Sequence, residues 1–280
     1  MLGKLVRLIR SGNPAPAAQH ALLTRIEVTV GNRIGEAPGF AEQLLPAAAA
    51  ALEYFAQQIA AIPGPLPVAT GPLFAAADDP RHALGRSLAV KESLTELSGD
   101  GEIYALLGMR QKTVNGSAAP VFADHTLRSL ASSAEACREL LATAALDRLL
   151  GNFAEHVDKL RRKDRMLRIE WEWNLQHDAA RVMADEPEAE FVEAARELTP
   201  ENVLKGLRSW LSSPECFLRL ECSDSTLPPP AGDSASIAPN LPLLHCSDRR
   251  QWLVCLVSFP AAAAAAALQG ETHNHRYILI

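Results

Sequence analysis

The sequence predicts an α+β fold: a mainly helical N-terminal region with a central β-hairpin, followed by a small C-terminal α/β unit. Three observations predict it. Apolar residues recur at helical spacing over long stretches before residue 213. Asn115-Gly116 separates two runs with apolar residues, and both positions tolerate the positive φ of a tight hairpin turn. After residue 213 the pattern changes, and CFLRLEC alternates as a strand does. The expected organisation is a helical domain over residues 1–213 and a small α/β unit over 214–280.

The first strong helix runs from Phe40 to Ile62, with Leu44, Leu45, Ala48, Leu52, Phe55 and Ile59 on its apolar side. Pro63-Gly64-Pro65 stops it, because proline lacks the amide and restricts its predecessor. Asp79 and Pro80 have the chemistry of an N-cap and a first helical position, so a helix is expected from there to about Leu97. Ser98–Gly101 is a turn cluster, and the hairpin is placed near 102–124. Pro120 in its second arm predicts an edge strand, since proline cannot donate to a ladder.

A long helix is expected near 132–184, opened by a capping box of Ser132 and Glu135. Gly151-Asn152 is its weak point. The stretch RIEWEWNLQHD, Arg168–Asp178, reads both as an alternating strand and as part of this helix. At ~100° per residue Phe153, Val157, Leu160, Leu167, Trp171, Leu175 and Val182 form one stripe, interrupted by Asp164 and Asp178. The strand reading accounts for about nine residues and the helix reading for about thirty, so helix is preferred. Met166, Ile169 and Trp173 then form a second apolar patch on the opposite face. Such a helix is sandwiched between layers or has a partner chain, and its spacing also suits a coiled-coil seam.

Pro187 starts another helix, and Thr199-Pro200-Glu201-Asn202 caps one that ends near Ser212-Ser213-Pro214. A proline-rich loop occupies 223–242. LPLLHC and QWLVCLVSF read as two strands, Pro260 opens a short alanine helix, and RYILI reads as a last strand.

The formal net charge of −6 argues against general nucleic-acid binding, which needs a basic surface. Five cysteines without regular spacing point to reduced thiols and a cytoplasmic location. No stretch approaches the ~18 apolar residues of a membrane span. Residues 2–10 have some amphipathic character, and docking on their own domain is expected rather than membrane contact. Walker A, GxGxxG, GxSxG and HExxH signatures are absent.

Three groups carry candidate chemistry. His177-Asp178 is similar, over those two residues only, to the pair that HD-type metal-dependent phosphohydrolases use. The resemblance implies further ligands, for which His125, His156 and Asp224 are the candidates. His245, Cys246, Cys255, His273 and His275 are ligand types for a zinc-stabilised C-terminal module, but only His273 and His275 have paired spacing. Lys159–Arg168 holds six basic residues and one acid. Asp185–Glu201 holds seven acids and one arginine, which suggests a charge match within or between chains. Asp124-His125 is expected to be an exposed turn pair. For each group the expected role is structural, and no cofactor is expected.

The leading functional expectation is therefore a cytoplasmic, non-enzymatic interaction or regulatory protein. It self-associates or binds a protein partner through the long helix, with Trp171 and Trp173 as anchors beside Leu167 and Leu175. The alternatives are a metal-dependent phosphohydrolase built on His177 and Asp178, and the zinc-stabilised module.

Overall fold

The structure is a computed structural model that describes residues 16–34, 39–68, 80–95, 97, 101–112, 121–177, 187–223, 240–246 and 251–271. These form helices α1 (Pro16–Ile34), α2 (Phe40–Ala60), α3 (Pro80–Arg86), α4 (Leu88–Ser93), α5 (Ala134–His177), α6 (Pro187–Glu197), α7 (Pro200–Leu211) and α8 (Ala261–Glu271). The strands are β1 (Leu66–Pro67), β2 (Glu102–Lys112), β3 (Val121–Ala131), β4 (Leu218–Glu221), β5 (Leu243–Cys246) and β6 (Gln251–Pro260). The fold is thus mixed α+β with one long helix, as expected. Two compact units share it. One draws on Phe55–Thr143 and the chain from Glu215 onward, the other on the chain up to Tyr54 and on Ala144–Pro214. Two of the divisions fall inside helices, α2 and α5, and the third follows α7.

The first unit is built on one sheet of order β3-β2-β6-β5-β4, with β1 added parallel to β6. The hairpin β2–β3 therefore shares a sheet with strands that follow residue 213. β6 is central, which explains why QWLVCLVSF is apolar on both faces: Leu253 through Phe259 are all buried. On one face Ile103, Ala105, Leu107 and Met109 of β2 lie beside Leu253, Cys255, Val257 and Phe259 of β6. Leu84, Val90 and the alanines Ala261, Ala264 and Ala267 cover them. The small alanine side chains let α8 come close to the strands.

On the opposite face Leu106, Val254 and Leu256 are buried. Cys137 Sγ donates to the Ser129 carbonyl at 3.1 Å, and Arg138 Nη2 donates to the Ile62 carbonyl at 3.1 Å. These bonds tie the start of α5 to β3 and to the segment after α2.

β3 lies at the sheet edge, as Pro120 predicts. It runs to Ala131, well past the expected end at 124. Its pairing with β2 slips twice, between Gly108 and Arg110 and between Tyr104 and Leu106. Asp124 (φ 58°) and Ser129 (φ 54°) take the left-handed conformation at these bulges.

The second unit is helical. α1 was not anticipated; it buries Ala18, Leu22, Ile26, Val30 and Ile34, a strict four-residue stripe. Against these elements α2 contributes Leu44, Ala48 and Leu52, α5 contributes Leu146, Leu150, Phe153 and Val157, and α7 contributes Val203, Leu207 and Leu211 to the buried core.

Three expectations need correction. The helix from Pro80 is two helices, because the Ser87 hydroxyl accepts from Val90 N at 3.3 Å and caps a new start. α5 is capped by Ser133, whose hydroxyl accepts from Ala136 N at 3.1 Å, and not by Ser132. Thr199 occupies the cap position of α7 without a side-chain cap bond; its hydroxyl and the Asn202 amide both donate to the Arg196 carbonyl instead. Residues 2–10, the proline-rich stretch 224–239, and RYILI lie outside the described residues. No described helix is long and apolar enough to cross a membrane.

Candidate interaction surface

α5 is 44 residues long, or about 66 Å at ~1.5 Å per residue. Residues 168–176, which read two ways in sequence, are helix. The helix reading wins because the apolar residues keep three- and four-residue spacing from Phe153 to Trp171, with Asp164 alone interrupting them.

Along that stripe Phe153 and Val157 are buried, while Leu160, Leu167 and Trp171 are half-buried. Asp164, which interrupts it, accepts from Arg168 Nε at 3.0 Å, so its charge is compensated on the same helix. The side chain of Leu175 and residue Val182 are outside the described set.

The opposite patch behaves differently. Met166 is 66% exposed, Ile169 56% and Trp173 60%. The three lie within about 60° of arc on the helix, so they form one continuous apolar face. Around them Arg162, Lys163 and Arg165 are exposed on the N-terminal side, and Glu170 and Glu172 on the C-terminal side.

The end of α1 marks where this surface begins. Arg33 Nη2 meets Asp158 Oδ2 at 3.0 Å, and Arg161 Nη2 donates to the Arg33 carbonyl at 2.8 Å. The Arg33 hydrogen bond, helped by the Arg161 and Arg162 charges, holds the Asp158 carboxyl below its ordinary range. Arg25 and Asp147 form a second ion pair between α1 and α5. Residues 162–177 extend past this last α1 anchor, for roughly 24 Å. The α1 partners escaped the sequence reading because α1 itself did.

Between α5, α6 and α7 lies a cavity of about 530 Å³, lined by Phe153, His156, Leu160, Glu193, Arg196 and Asn202 among others. Phe153 packs edge-on to Trp210, with ring centroids 5.2 Å apart, and His156 lies against the same indole at 5.4 Å, its ring tilted by 32°. Arg196 pairs with Glu193 on its own helix at 3.7 Å.

The candidate metal residues are placed only in part. His177 ends α5, but its side chain, Asp178 and Asp224 are outside the described residues, as are His273 and His275. His156 sits 21 residues before His177 on one continuous helix, an axial separation of about 31 Å. Those two histidines cannot ligate one ion within a chain. His125 is half-buried on β3, and Asp124 beside it is 4.0 Å from Arg110.

His245 and Cys246 are on β5. His245 Nε2 lies 2.8 Å from Glu221 Oε2, and Arg219 Nη2 lies 2.9 Å from Glu221 Oε1. Cys255 is a core thiol on β6, and burial pushes it up to about 12. Among the described residues no group of three or more His, Cys, Asp or Glu is placed to hold a metal ion.

None of the protein-family models, curated proteins or solved structures compared with the chain matches it.

Proposed function

We propose that this chain is a non-enzymatic interaction or regulatory protein of the cytoplasm that engages itself or a protein partner through residues 162–177 of α5. One observation carries the reading. Three large apolar side chains, each more than half exposed, adjoin one another on the helix beyond the last α1 contact. Single exposed apolar residues are ordinary, but a contiguous face of Met, Ile and Trp rimmed by charge is the composition of a contact surface. Burying it removes apolar area from water at about 25 cal/mol per Å².

Site-specific photo-crosslinking in cells tests this. A crosslinking side chain at Ile169 is expected to capture protein, whereas the same group at Val28, 77% exposed on α1, is not. Equal yields at the two sites would remove the basis for the assignment. Elemental analysis of tag-free protein adds an independent check, since stoichiometric metal would favour the phosphohydrolase or zinc-module alternatives.

A further inference from the structure

We infer that the occupant of this surface is a second copy of the same chain, paired antiparallel through α5. The inference rests on the proposed interaction surface and names its partner.

The charges flanking the apolar face support it. Asp164 and Arg168 neutralise each other on the half-buried side. What remains exposed from 162 to 173 is three cations, Arg162, Lys163 and Arg165, then two anions, Glu170 and Glu172. The helix arm is therefore polar from end to end, and a reversed copy presents the complementary sequence of charges.

The register follows from the spacing. Centring the pair between Leu167 and Arg168 sets Met166 against Ile169 of the second copy, and Ile169 against its Met166. Arg165 then meets Glu172 on one flank, and Lys163 meets Glu170 on the other, each twice by symmetry. A parallel pair matches Arg165 with Glu170 but sets Lys163 toward Asp158, which Arg33 already holds. Opposed helix dipoles also favour the antiparallel arrangement.

The contact is small. An arm of about 24 Å gives an interface at or below the ~1,200 Å² of transient complexes. The expected dissociation constant is about 10 µM or weaker.

Sedimentation velocity on the full chain, from about 1 to about 200 µM, tests the pairing across that expected range. The wild type is expected to move from monomer to dimer. Glu172→Arg is expected to weaken dimerisation by about tenfold or more, and Arg165→Glu combined with Glu172→Arg to restore it. Far-UV circular dichroism verifies that each variant keeps its helix content. A chain that stays monomeric throughout overturns the inference. So does dimerisation that the double exchange fails to restore, or that Arg165→Glu with Glu170→Arg restores instead, the signature of a parallel pair. A monomeric chain whose Ile169 position still crosslinks to another protein overturns self-pairing and leaves the interaction surface standing. A chain that stays monomeric to about 200 µM and also gives no crosslink at Ile169 overturns both.

Discussion

Two glycines in this chain should respond to alanine in opposite directions. Gly64 follows α2 with φ +110°, a backbone conformation that L side chains rarely adopt. A Cβ there would lie 2.3 Å from the Leu256 carbonyl oxygen and 3.1 Å from its carbon. Both are backbone atoms of the central strand β6, so neither can swing aside. Relief requires the 63–68 segment to move off β6, which breaks the 2.8 Å bond from Leu256 N to the Pro63 carbonyl. The backbone conformation costs about 1–3 kcal/mol for a residue other than glycine. The lost hydrogen bond adds about 1 kcal/mol. Gly64→Ala is thus expected to cost about 3 kcal/mol, or roughly 6–12 °C in melting temperature.

Gly151 is the contrast. It sits inside α5, and a Cβ there meets nothing within 4 Å. Alanine at an open helical position reduces the conformational freedom of the unfolded chain and raises helix propensity by about 0.5–1 kcal/mol. Gly151→Ala should raise the melting temperature by about 1–4 °C. Thermal and urea unfolding followed by circular dichroism measure both. A Gly64→Ala protein that melts within about 2 °C of wild type would refute the close-approach argument. A destabilised Gly151→Ala protein would refute the assignment of open space around α5 at that point.

The left-handed Ser129 of β3 gives a second prediction: Ser129→Gly should stabilise by about 0.5–1 kcal/mol in urea unfolding, since glycine relieves the positive φ. Thiol titration gives a third. Cys137 and Cys255 are buried and pushed up to about 12 by desolvation, so at pH 8 the native protein should show fast reaction only at exposed Cys216 and Cys222, slower reaction at Cys246, and all five after unfolding. The depressed Asp158 carboxyl gives a fourth. Its stabilisation is present above the ordinary carboxylate value and is lost as pH falls through the lowered one. Because the pair is part-exposed, Arg33→Ala should remove only about 0.5 kcal/mol at pH 7, with the difference vanishing in acid unfolding curves.

The elements legible in the sequence were those whose period is sustained. α5 was readable because its stripe outlasts any strand, and β6 because a run from Leu253 to Phe259 bounded by polar and proline residues suits a central strand. α1 was not readable. Its middle, TRIEVTV, is rich in β-branched residues, whose restricted rotamers lower helix propensity. Packing of Leu22, Ile26 and Val30 overrides that preference, and the spacing Ala18, Leu22, Ile26, Val30, Ile34 was the signal available. The second hairpin arm appeared to stop at 124 because bulges break its alternation. Its core-facing residues are Phe122, Leu127 and Leu130. Those intervals are five and three, not two, since each bulge inserts a residue into one strand. Of the candidate surface, the two apolar faces of α5 were visible from periodicity, but which face is covered depends on tertiary packing, which spacing does not encode.

That dependence separates the two tryptophans first paired as anchors. Trp171 lies on the half-buried side with Leu167, and Trp173 lies 60% exposed beside Met166 and Ile169. Adjacent positions two residues apart face different ways on a helix, about 200° around the axis. Trp171→Ala should therefore act on the fold, costing about 1–3 kcal/mol in urea unfolding of dilute protein for the packing it removes. Trp173→Ala should cost less of that stability than Trp171→Ala, because more of its ring already lies in water. Its effect belongs to association, where tryptophan carries a disproportionate share of interface energy. Measured side by side, unfolding at low concentration and sedimentation at high concentration should rank the two variants in opposite order. If Trp173→Ala destabilises the dilute protein as much as Trp171→Ala, its face serves the internal packing of the chain. The exposed patch would then lose its meaning as a contact surface.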